Sequence, residues 1–167
     1  MLEIQKIISV IEQCCENLAK ENIISNGKWT SAIKQSVVNF SADNNNNLCI
    51  CVGGNEITNK DNDEWLYDIT IIKMFNDELI EYVDTVIESE WGDISKILED
   101  FQKIIQANAK NKLMICQDSK LSAHDIFDKL QTQLNVYSDF SISDSVNILC
   151  FDNANKKIIQ KCIKKQQ

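Results

Sequence analysis

Arginine and proline are absent from this 167-residue chain, glycine occurs four times, and the only histidine is His124. Each scarcity excludes something. With every basic residue a lysine and a formal net charge of −8, the chain lacks the basic stripe with which a general nucleic-acid binder neutralises phosphates. The nearest approach is Lys156, Lys157, Lys161, Lys164 and Lys165, which alternation makes a charged edge strand. Gly53-Gly54 is not followed by the lysine and helix start of a phosphate-cradling loop. His124 sits in the first turn of an expected helix and has no nucleophile motif near it, so it reads as a surface side chain. No proline and no internal repeat marks a boundary, and the length suits one domain over 1–167. No apolar run approaches the length of a membrane span. Met1 to Lys6 lacks a basic stretch leading into an apolar one, so no secretory leader is expected and the reading is cytoplasmic.

Cysteine, in contrast, is plentiful: there are seven. Cys14 and Cys15 are adjacent in a helical pattern, Cys49 and Cys51 alternate within Leu48-Cys49-Ile50-Cys51-Val52, and Cys116, Cys150 and Cys162 stand among apolar neighbours. Zinc ribbons want CxxC pairs on turns, so the expectation is free, buried thiols acting as small hydrophobes.

Apolar spacing predicts an amphipathic helix over residues 2–21 and a second through Trp29, Ile33, Val37 and Phe40. Strands are predicted at 47–52, 65–73 and 79–91, with a turn in Asp43 to Asn47, a loop from Gly53 to Asp63 and a hairpin around Asn76-Asp77. Asp93 caps a helix carrying Ile94, Ile97, Leu98, Phe101, Ile104 and Ile105, and Leu113 to Cys116 is a short strand. Ser122 and Asp125 form a capping box for a helix with Ile126, Phe127, Leu130 and Leu134. Strands at 144–151 and 157–163 complete an α-α-β-β-β-α-β-α-β-β order. That order predicts an α/β (α+β) fold, a central mixed sheet flanked by helices. Trp29, Trp65 and Trp91 read as core or rim aromatics.

One constellation carries chemistry. Side chains alternate along a strand, so Glu88 and Glu90 share a face, while Ile87, Ser89 and Trp91 share the other. Adjacent like charges repel unless a cation or proton relieves them. A hairpin would bring Asp68 to the pair, and three carboxylates suit a hard divalent cation such as Mg2+ or Mn2+, the chemistry of phosphodiester hydrolysis. The alternative reading is a solvated strand face.

The pattern Asp68 … Glu88-Ser89-Glu90, then a helix and a short apolar strand, resembles the PD-(D/E)xK restriction-endonuclease-like superfamily. It is most similar to the BamHI-like ExE variant, in which Glu replaces the motif lysine. Glu88-Ser89-Glu90-Trp91-Gly92, Glu99-Asp100-Phe101-Gln102-Lys103 and Glu64-Trp65-Leu66-Tyr67-Asp68 also resemble uncharacterised bacterial proteins of that type, and the likeness covers about residues 28–118, the nuclease-like core. The resemblance implies a magnesium-dependent endonuclease acting on DNA, or a degenerate relative. In it Asp68 and Glu88 are metal ligands, Glu90 orients or deprotonates water, and Lys103 supplies positive charge. Where the family often has an acid on the helix before the strands, 28–40 offers Lys34 and Gln35. From another class, the acidic balance also fits an immunity- or inhibitor-type module masking a basic protein. A third reading is a scaffold dimerising through the helix at 2–21.

Overall fold

In a computed structural model, residues 4–23, 25–43 and 47–166 are described. The chain forms α1 (Ile4–Lys20), α2 (Asn26–Asp43), β1 (Leu48–Val52), β2 (Ile69–Met74), β3 (Ile80–Glu90), α3 (Ile94–Gln106), β4 (Ala109–Gln117), α4 (Ala123–Val136), β5 (Ser145–Asp152) and β6 (Lys157–Lys164). The strands form a mixed six-stranded sheet in chain order. The fold is the expected mixed sheet with helices. Residues 2 and 3 of the first expected helix, and 44–46 of the asparagine turn, lie outside the described residues. No helix among the described residues is long and apolar enough to cross a membrane.

Contacts group the chain into two compact units, Met1–Val86 and Ile87–Gln167. In the first, α1 packs on α2 and α2 on β1. Ile7, Ile8, Ile11 and Cys15 of α1 are buried, as are Trp29, Ile33, Val37 and Val38 of α2. β1 and β2 pair antiparallel from Leu48↔Lys73 to Val52↔Ile69. The hairpin expected at Asn76-Asp77 is present: Phe75 N–H donates to the Leu79 carbonyl at 2.8 Å, and Asn76 Oδ1 accepts from the backbone N–H groups of Glu78 and Leu79.

Residues 65–68, expected to begin a strand, do not. Register explains the correction. β1 ends at Val52 opposite Ile69, and Gly53 turns away into a loop, so no β1 backbone remains to pair with residues before Ile69. Trp65 and Leu66 are consequently exposed.

In the second unit, β4 pairs parallel with β5 and β5 antiparallel with β6. α3 and α4 cover one sheet face, burying Ile97, Phe101, Ile104, Phe127, Leu130 and Leu134 against Met114, Cys116, Val146, Ile148 and Cys150. Parallel strands need a crossover, and α4 supplies it. Asp93 caps α3 by accepting from the N–H groups of Ser95 and Lys96, and the Ser122–Asp125 box opens α4 as expected. β4 begins earlier than its apolar core suggested. Its Lys112 is nearly fully buried, with its ammonium 3.1 Å from Asp144 and over the Phe140 ring.

All seven cysteines are free thiols, but burial is uneven. Cys15, Cys51, Cys116 and Cys150 are buried, Cys14 and Cys49 half-buried, and Cys162 exposed, so the uniform burial expected of them does not hold. Cys162 follows from its place on β6, where Gln160, Cys162 and Lys164 alternate onto the exposed face.

Candidate active site

β3 delivers its acids by alternation: Asp84, Val86, Glu88 and Glu90 share one strand face. Burial grades along it. Asp84 is fully buried and accepts from the Thr85 hydroxyl at 3.0 Å, Glu88 is 4 % exposed, and Glu90 is half-buried at the strand's end. Asp84 lies in the same period-2 series that singles out Glu88 and Glu90, two alternations before Glu88.

A carboxylate as buried as Glu88 requires a compensating partner. Lys103 answers part of that requirement. It rises from the last turn of α3, and its ammonium lies 3.3 Å from Glu88 Oε1 and 2.6 Å from Asp100 Oδ1. Lys103 and Asp100 are one helical turn apart, so the helix presents them together. The hydrogen bond to Asp100 and the charge of Glu88 outweigh partial burial and hold the Lys103 ammonium above its ordinary pKa. The Lys103 ammonium therefore stands beside Glu88, within the unit Ile87–Gln167.

Glu90 turns back on its own chain: its Oε1 accepts the Gly92 N–H at 2.6 Å. A Cβ at Gly92 would stand 2.9 Å from that oxygen, so glycine is what lets the carboxylate close on the backbone. Gln117, at the end of β4, donates its side-chain N–H to the Trp91 carbonyl and braces the same segment. His124 is exposed and 3.6 Å from Asp128, the surface place expected of it.

Asp68 immediately precedes β2 in the other unit. Lys34 of α2, nearly buried, sends its ammonium 3.0 Å from Asp68 Oδ1 and 3.3 Å from Glu64 Oε2. Burial pulls the Lys34 pKa down, but the charges of Asp68 and Glu64 more than offset it and the net shift is upward. α2 thus meets the candidate aspartate with a lysine. Among the described residues no group of three or more His, Cys, Asp or Glu side chains gathers closely enough to hold a metal ion. No family model, curated protein or solved structure matches the chain.

Proposed function

We propose that this protein is a magnesium-dependent, restriction-endonuclease-like phosphodiesterase acting on DNA, with Glu88 and Lys103 at its centre. The observation that carries the reading is the Lys103 ammonium 3.3 Å from the buried Glu88 carboxylate. The ExE pattern has a glutamate where most of the superfamily has lysine, and α3 brings a lysine to the neighbouring acid instead.

The donor set suits the ion. Glu88 offers hard oxygens, and magnesium commonly takes only one or two carboxylates and keeps water for its other positions. The resemblance also names Asp68 as a ligand; within its own unit that carboxylate is 3.0 Å from the Lys34 ammonium. A bound magnesium ion supplies polarisation of the phosphodiester and a more acidic water. The chain's own residues do the rest. Glu88 presents an oxygen held in place by burial, Lys103 sets a positive charge beside it for phosphate oxygens, and Asp100 fixes the Lys103 side chain. Glu90, one alternation further on and with its carboxylate accepting the Gly92 N–H, takes the role of orienting water in this reading.

Calorimetric titration with magnesium and manganese tests this in the wild type, Glu88→Gln and Asp68→Asn, beside nicking of supercoiled DNA. Binding lost in both variants, with nicking that needs Lys103, is the expected result. Equal heats in wild type and Glu88→Gln end the metal reading. They would favour a second one, an immunity- or inhibitor-type module for a basic protein, which the net charge of −8 supports.

A further inference from the structure

The CxC of β1 belongs to neither reading. Alternation puts Cys49 and Cys51 on one strand face, and their sulfurs lie 3.9 Å apart. Two residues of strand separate their Cα atoms by about 6.7 Å. That is the outer edge of what a disulfide spans, so oxidation would have to bend β1.

The spacing fits an ion between the sulfurs far better. Metal–thiolate bonds of about 2.3 Å set sulfurs about 3.8 Å apart in tetrahedral and about 4.0 Å apart in trigonal geometry. Met74 of β2 lines the same open cleft of about 380 Å³, together with Trp65, Ile72 and Ile80. Register puts it there: Cys49 opposes Ile72, so Ile72 and Met74 alternate onto the cysteine face.

A second feature points at the sulfurs. Asn62 Nδ2 donates to Cys49 Sγ at 3.1 Å, so a polar group outside the strand pair is aimed at the sulfur and fixes its place. Asn62 is fixed for this task by the edge of β1: its carbonyl accepts from Val52 N–H at 3.0 Å and its N–H reaches the Ile50 carbonyl.

We propose that Cys49, Cys51 and Met74 form a binding site for a soft cation of the copper(I) class, with Asn62 as the positioning donor. Two thiolates and a thioether are the donors such an ion selects. On binding, both thiols release their protons to solvent and each sulfur forms one bond to the ion; nothing is oxidised or reduced.

The test is anaerobic titration of the reduced full chain with copper(I) held by a chromogenic chelator. One equivalent withdrawn by the wild type, none by Cys49→Ser or Cys51→Ser, weaker uptake by Met74→Leu and roughly tenfold weaker uptake by Asn62→Ala are expected. Cys162→Ser should leave uptake unchanged. Because a cysteine variant can fail to fold, alkylation of the wild type is mapped in parallel. Copper(I) should protect Cys49 and Cys51 while Cys162 still reacts. Copper retained by the Cys49→Ser/Cys51→Ser double variant, Cys49 alkylated equally with and without copper, or zinc(II) taken up in preference to copper(I) overturns the proposal.

Discussion

Replacing Lys103 with methionine keeps the length of the side chain and removes the ammonium 3.3 Å from Glu88. Unit charges at that separation attract by about 5 kcal/mol at an effective dielectric of about 20, and by about 1.3 kcal/mol in water. Glu88 is almost wholly buried, but the Lys103 side chain is 48 % exposed, so solvent screens much of the larger figure. The expected loss is about 1–2 kcal/mol, between that of an exposed pair and that of a fully buried one. Lys96 is the internal control. Its ammonium is 2.7 Å from Glu99, about as close as Lys103 is to Asp100, yet both side chains are more than half exposed. Lys96→Met should therefore leave the unfolding midpoint close to that of the wild type. Urea unfolding followed by circular dichroism reads both, and with a slope of about 2 kcal/mol per molar the Lys103→Met midpoint falls by about 0.5–1 M. Equal midpoints for the two variants would refute the idea that burial of the acid, rather than closeness of the charges, sets the strength of the pair. In the same assay, magnesium at about 100 times its Kd should add about 2.7 kcal/mol to the wild type and nothing to Glu88→Gln.

Phe101 is fully buried between α3 and the sheet of the second unit, so Phe101→Ala should cost about 3–5 kcal/mol by the same denaturation. Ser122→Ala removes the acceptor for the Asp125 N–H at the start of α4 and should cost about 1 kcal/mol. The hydroxyl and N–H of Ser122 hold the Asp125 carboxyl below its ordinary pKa, so its contribution is present above the unfolded value, about 3.9, and is lost as pH falls through the lower folded value. For Lys34 the sign reverses. Its raised pKa makes its contribution complete below the unfolded value of about 10.4 and lost as pH rises through the folded one. The melting-temperature gap between wild type and Lys34→Met should thus stay level from about pH 7 to 10 and narrow above it; a gap that closes by pH 8 contradicts the assignment.

Helical elements were legible because their signals are local. The spacing of Ile97, Phe101, Ile104 and Ile105, the Asp93 cap and the Ser122–Asp125 box all lie within single elements, and all appear in the structure. The strand at 65–73 is shorter than its pattern because pairing is not local: Trp65 to Asp68 could extend it only where a neighbour offers backbone, and β1 ends opposite Ile69. Lys112 reads as a solvent residue in sequence. Only the arrival of Asp144 and the Phe140 ring, about thirty residues on, makes its burial tolerable.

The amino-acid order alone determined the succession of helices and strands, the shared face of Glu88 and Glu90, and the shared face of Cys49 and Cys51, since each follows from a period of 3.6 or 2 within one segment. Tertiary structure decided what meets those faces. It set Lys103 and Asp100 with Glu88, gave Asp68 to Lys34, and laid Asn62 and Met74 at the cysteine pair. Partners of that kind come from separate stretches of chain, and their meeting depends on register, crossover and helix packing, which no local period encodes.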